Sequence, residues 1–226
     1  QLTPTEASVQ KLPVQHGVTH TASVMAQGFN PYVAEWSPYH GAAYAVIEAT
    51  ARLVAAGANW SKARFSYQEY FERMDKQAER FGQPVAALLG SIEAQIQLGL
   101  PSIGGKDSMS GTFEELTVPP TLVAFGVTTA DSRKVLSPEF KNVDENIYYI
   151  PGQALSAEID FDLIKKNFAQ FEAILADHKV TSASAVKYGG VVESLALATF
   201  GNHIGAEVNL PELESSLTAQ LGGFVF

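Results

Sequence analysis

The order of elements legible in this chain points to an α+β fold or a layered sandwich rather than a doubly wound sheet, because several strands follow one another with no helix between them. Three observations lead there. Apolar residues recur at helical spacing over residues 39–56, 84–98 and 161–176, residues 121–129 form a continuous β-favouring run, and glycine and proline pairs cut the chain between such segments. With 226 residues, 46% of them hydrophobic and 17% charged, the chain can form one large domain or two small ones with real cores.

Taken in order, residues 1–11 are polar and read as frayed or extended. Residues 12–25 alternate (Val14, Val18, Ala22, Val24), which predicts a strand. Residues 28–32 are turn chemistry, and Ser37 before Pro38 supplies an N-cap followed by proline at the first helical position. The helix over 39–56 carries Ala43, Val46, Ile47, Thr50, Leu53 and Val54 at helical spacing and stops at Gly57. Residues 59–76 are aromatic and charged, with a short strand at 65–67 before a helical segment. A second helix over 84–98 places Val85, Leu88, Leu89, Ile92 and Ile96 on one stripe and ends at Gly99. Residues 100–111 read as strand, glycine turn and polar loop, ahead of the run 121–129. The polar segment 131–144, interrupted by Pro138, is the predicted domain boundary. Beyond it come a short strand at 146–150, an amphipathic helix over 161–176, strands at 180–186 and 204–210, helices over 191–199 and 213–221, and a final strand at 223–226. No internal repeat or low-complexity segment is present.

The formal net charge of -9 argues against a nonspecific nucleic-acid or anionic-membrane surface, which needs clustered Lys and Arg. The absence of cysteine removes disulfides, thiolate metal sites and cysteine nucleophiles. No run approaches 18 apolar residues and the first ten residues lack signal-peptide character, so the cytoplasm is the expected location. A start without Met and an apolar strand-like tail over 221–226 suggest a piece of something longer.

Candidate chemistry centres on Gly104, Gly105, Lys106, Asp107 and Ser108. Adjacent glycines open backbone angles closed to other residues, and Lys106, Ser108 and Ser110 offer a cation and hydroxyl donors suited to a phosphate. The stretch fits neither the P-loop nor the Gly-x-Gly-x-x-Gly pattern. On pattern alone it is either a hairpin-type turn or a ligand loop, and Asp107 either a ligand or a turn residue bonding its own backbone. Glu48 borders the apolar stripe of its helix, with Arg52 one turn later. This is either a solvated ion pair or a carboxylate aimed at a metal or a phosphate. The five histidines form no convincing metal pair, and the Asn59-Trp60-Ser61 sequon carries little weight without a secretory signal.

Gly105-Lys106-Asp107-Ser108-Met109-Ser110, followed by Pro119 and Pro120, the run 122–127, Asp131-Ser132-Arg133 and Leu136-Ser137-Pro138, closely resembles the long form of the phosphoribosylformylglycinamidine synthase family. Upstream, His20-Thr21-Ala22-Ser23-Val24-Met25, Gly28-Phe29-Asn30-Pro31 and Ser37-Pro38-Tyr39-His40-Gly41-Ala42 look like the start of that enzyme's second aminoimidazole-ribonucleotide-synthase-like half. Downstream, Val186-Lys187-Tyr188-Gly189-Gly190 and Phe200-Gly201-Asn202-His203-Ile204-Gly205 resemble the opening of the following domain's helical layer. The resemblance covers most of the chain. It implies a synthase-like domain over 1–144 and the beginning of a sandwich domain over 145–226.

The resemblance also implies a purine-biosynthesis ligase. In that family ATP activates the amide oxygen of formylglycinamide ribonucleotide, and ammonia from glutamine displaces phosphate to give the amidine. Its cofactors are ATP or ADP with magnesium, and its partners are the remaining halves and the glutaminase part, whose cysteine nucleophile this chain lacks. The family's second half holds a nucleotide and magnesium through a helix glutamate, an asparagine four residues on, and an aspartate in an acidic glycine loop. Glu48 matches the glutamate. Arg52 stands in the asparagine place, and Ala185 and Lys187 lie over the acidic loop without a carboxylate. A cation cannot ligate magnesium. The expected consequence is an altered or lost magnesium-nucleotide site, or one in which Arg52 and Lys187 hold a phosphate directly beside 104–110. Two further expectations are an inactive isolated chain that acts as scaffold, and a homodimer through an uncovered apolar strand surface. A free-standing structural or interaction module of the same fold is the alternative. A thiamine-phosphate- or selenophosphate-type kinase is disfavoured, because phosphoryl transfer needs metal-held phosphates.

Overall fold

A computed structural model describes residues 2–210 and 212–226. Gln1, at the head of the segment read as extended, lies outside the described residues. In chain order the elements are β1 (Ser8–Lys11), β2 (Thr21–Gly28), α1 (Pro31–Trp36), α2 (Pro38–Ala55), a 3-10 turn (Trp60–Lys62), β3 (Arg64–Tyr70), α3 (Ala78–Leu98), β4 (Ser102–Ser108), β5 (Thr112–Phe113), β6 (Leu116–Thr117), β7 (Thr121–Asp131), β8 (Tyr149–Ile150), β9 (Gln153–Ala154), α4 (Phe161–Asp177), β10 (Ser184–Ala185), α5 (Gly190–Phe200), α6 (Leu213–Leu217), β11 (Gln220–Leu221) and β12 (Phe224–Val225). The hydrogen-bonded order of the largest sheet is β1-β2-β7-β3-β4, and a three-stranded sheet runs β10-β12-β8. The mixed α and β class is as the sequence predicts.

Two compact units emerge, one of residues 26–50 and 61–127, the other of residues 1–25, 51–60 and 128–226. In the first, β3 pairs antiparallel with β7 from Arg64↔Val127 to Tyr70↔Thr121, and parallel with β4. Its alternation sends Phe65, Tyr67, Glu69 and Phe71 inward. Asn30 caps the short helix α1, its Oδ1 accepting from the amides of Tyr32 and Val33. Among α3 residues the buried set is small: Pro84, Ala87, Gly90, Ser91, Ala94 and Leu98. A Cβ on Gly90 would collide with the Tyr39 carbonyl oxygen, so only glycine lets the two helices approach this closely.

The second unit builds its core on α4 and α5. Phe161, Ile164, Phe168 and Phe171 of α4 are buried, with Phe171 stacked on Phe224 at 4.6 Å. The Asn167 side chain donates to the carbonyls of Pro151 (2.8 Å) and Gly222 (3.0 Å), tying α4 to two turns that have no ladder partner there. A separate cluster gathers Phe140, Val186, Val191, Leu195, Ala198 and Val225.

Several expectations need correction. The strand placed at 12–25 begins only at Thr21; Val14 and Val18 are 51% and 82% exposed, so their alternation had no core behind it. Residues 204–210 are not strand, and 180–186 pairs only at Ser184–Ala185. α6 ends at Leu217, short of the predicted 221. α1 and the β5–β6 hairpin were not anticipated. The largest correction concerns α3. It is a helix as predicted, extended at its N-terminal end to Ala78, but the stripe Val85, Leu88, Leu89, Ile92 and Ile96 faces solvent.

Candidate functional site

The glycine-lysine stretch is strand throughout, not a glycine turn followed by a loop. β4 runs parallel to β3 with Ser66↔Gly104, Tyr67↔Gly105, Gln68↔Lys106, Glu69↔Asp107 and Tyr70↔Ser108, after a register shift between Phe65 and Ser66 that leaves Ile103 unpaired. Gly105 serves this pairing. A Cβ on Gly105 would stand 2.9 Å from the Tyr67 carbonyl oxygen. β4 ends the sheet, and its side chains from Ser102 to Asp107 are exposed, with Ser108 half-buried. Lys106 Nζ donates to the Asp107 carbonyl at 2.9 Å. The strand therefore presents a cation, a carboxyl and hydroxyls to solvent.

Behind that surface lies a group the sequence reading missed. Glu69 is 1% exposed and its Oε1 has no hydrogen-bond partner. Burial, then the hydrogen bond and charge of Asp107, push its carboxyl from 4.5 up to about 8. At neutral pH Glu69 thus keeps its proton and shares it with the Asp107 side chain. Two residues before, on the same face, the buried Tyr67 hydroxyl is also unpartnered, and burial pushes its phenol upward. The available signal was the period of two through Phe65, Tyr67, Glu69 and Phe71, which puts a carboxyl on the core face.

The helix residues lie in different surroundings. Glu48 is buried, and its Oε2 accepts from the Phe29 amide at 3.2 Å, which fixes the chain between β2 and α1. Arg52 and Lys187 are brought together, through a residue without any sequence signal. Glu6, 5% exposed, takes Lys187 Nζ on Oε1 at 2.8 Å and lies 3.2 Å from Arg52 Nε through Oε2. Arg52 also donates to the carbonyls of Glu6 (3.0 Å) and Thr5 (3.2 Å), and Lys187 to that of Ala185 (3.2 Å). Two cations converge on one carboxylate, a charge-assisted arrangement. Glu6 stands 46 and 181 residues from its partners' bonding atoms, beyond any local pattern.

The donor set at this place does not fit a divalent cation. Arg52 is a cation, Ala185 has no ligating group, and among the described residues no group of three or more His, Cys, Asp or Glu side chains could hold a metal ion. His40 bonds Ser37 Oγ through Nδ1 at 2.8 Å and packs against the rings of Trp36 and Tyr39, a structural setting. No helix among the described residues is long and apolar enough to cross a membrane.

No family profile matches the chain. Among curated proteins it is similar to the phosphoribosylformylglycinamidine synthase subunit PurL of Lacticaseibacillus paracasei, 26% identical over 212 residues that make up 85% of this chain and 28% of the relative. It is equally similar to the PurL subunit of Picrophilus torridus, 26% identical over 225 residues, 87% of this chain and 28% of the relative. The chain thus spans little more than a quarter of the length of these relatives. Among solved structures, Thermotoga maritima PurL complexed with ATP superposes with a TM-score of 0.71 at 17% identity, over 97% of this chain and 34% of that one. Thiamine monophosphate kinase from Aquifex aeolicus superposes with a TM-score of 0.61 at 10% identity, over 98% and 82% of the two chains, a likeness of fold alone. The chain is PurL-like in sequence, and its mixed α and β fold is the one shared by PurL and thiamine monophosphate kinase.

Proposed function

We propose that the chain is a portion of the long-form ATP-dependent ligase that converts formylglycinamide ribonucleotide, ATP and glutamine to the amidine, from its second synthase-like repeat. In this reading residues 1–144 form the synthase-type domain and 145–226 the beginning of the sandwich domain. The observation that carries the reading is the likeness to two PurL subunits across 85–87% of the chain. The portion acts in the cytoplasm as scaffold and phosphate-binding surface and does not turn over alone. Its partners are the remaining halves and the glutaminase part of the whole enzyme, and as an isolated chain it self-associates through apolar surface.

The phosphate-binding residues in this proposal are Arg52 and Lys187, with Gly104, Gly105, Lys106, Asp107 and Ser108 as the second polar surface. Support comes from the convergence of Arg52 and Lys187 on one oxyanion, the Glu6 carboxylate. An incoming phosphate would displace Glu6 and keep the same two cations. A magnesium role for Glu48 would need oxygen ligands beyond those gathered here.

A second reading, a structural or interaction module without nucleotide chemistry, is favoured by the same contact: Glu6 already neutralises part of the charge a phosphate would meet. Calorimetric titration of the chain with ADP, with and without magnesium, separates the two. Binding indifferent to the metal is the expected result; metal-dependent binding overturns the direct-phosphate reading, and no binding supports the module.

A further inference from the structure

α3 turns its large apolar side chains outward. Phe81, Val85, Leu88, Leu89, Ile92 and Ile96 are 40–74% exposed, whereas Ala87, Gly90, Ser91 and Ala94 face inward. At 3.6 residues per turn the six outward residues fall within an arc of about 100° and run roughly 22 Å along the helix. Scattered exposed apolar residues are ordinary, but a contiguous stripe of this length marks an interface. The helix cannot turn over to bury it, because the Gly90 face touches the Tyr39 backbone and has no room for larger side chains.

We propose that this stripe is where a second copy of the chain docks, two α3 helices lying antiparallel about a two-fold axis between Leu88 and Leu89. The proposal rests on the self-association stated above but sets it on this helix face and not on the strand surface expected from the sequence. The stripe is self-complementary: inversion about that point sets Phe81 against Ile96, Val85 against Ile92 and Leu88 against Leu89, large side chain against large. The same inversion sets Arg80 against Gln97 and Glu93 against Pro84, so no carboxylate meets a carboxylate, in a chain whose formal net charge of -9 makes most faces repel a copy. Antiparallel helices also oppose their dipoles favourably. Each stripe offers on the order of 400 Å² of apolar surface, about half of the roughly 800 Å² that one partner gives to a standard interface, which makes the dimer a weak one. β4 is the competing surface, but Ile103 is its one large apolar side chain, set among glycines and polar residues.

Sedimentation velocity across a concentration series tests this, with the 226-residue chain, the double variant Leu88→Glu/Leu89→Glu and the variant Ile103→Glu. The expected result is a reversible dimer whose dissociation constant rises at least about tenfold in the double variant, and not in Ile103→Glu. Melting temperatures at low concentration should be unchanged, because the substituted side chains are exposed. Because the chain lacks cysteine, Leu89→Cys provides a second readout: oxidation should link two copies. A chain that stays monomeric at every concentration overturns both self-association and the face. A dimer that survives the double variant and is lost in Ile103→Glu overturns the face alone.

Discussion

Two charged clusters of this protein accommodate burial in opposite ways. At β3 and β4 two acids face each other, and the buried one stays neutral by keeping its proton. At Glu6 a buried acid stays charged because two cations come to it. Like groups share a proton while unlike groups cancel, so the first cluster responds to pH near neutrality and the second responds to the loss of Glu6.

The largest expected effect follows from removing the Glu6 carboxylate. Glu6→Gln leaves two partly buried cations facing a neutral amide and should cost about 2–4 kcal/mol in denaturant unfolding. The figure sits at the lower side of such losses because Arg52 and Lys187 keep 20% and 19% of their side-chain surface exposed. A loss below about 0.5 kcal/mol would show that the cluster is a solvated ion pair.

Glu69 gives a smaller, pH-dependent effect. Its folded value lies above the unfolded 4.5, so between about 4.5 and about 8 the unfolded chain binds fewer protons and stability falls as pH rises. Glu69→Gln should remove that decline, giving about 1–3 kcal/mol relative to the parent at pH 8 and little difference at pH 4. Unfolding curves with equal pH slopes for parent and variant would contradict the shared-proton arrangement. The smallest effect is on the outer surface of β4, where Lys106→Ala should change stability by less than about 0.5 kcal/mol because the ammonium is exposed.

How much was legible in the sequence follows from which interactions are local. α2 and α3 were both readable from periodicity, yet α2 is buried across residues 41–51 while α3 shows its large residues to solvent. A period identifies a helix, but the room beside it decides which face goes in, and here Gly90 against Tyr39 sets that room. The glycine-lysine stretch was readable as a family signature, whereas its conformation was not: parallel pairing with β3 makes strand of residues that taken alone signal a turn. Arg52 and Lys187 were readable as cations in unusual places. Glu6 was not, because an ion pair across 181 residues leaves no spacing to detect.

In the proposed phosphate site Glu6 stands where the anion would bind, between Arg52 and Lys187. Thermal melting of Glu6→Gln in increasing inorganic phosphate or ADP, without magnesium, tests it most directly. The prediction is a melting temperature that rises with anion concentration in the variant and far less in the parent, since an anion that binds only the folded state stabilises it by mass action. Equal anion effects on both proteins, or an effect that appears only with magnesium, would contradict it.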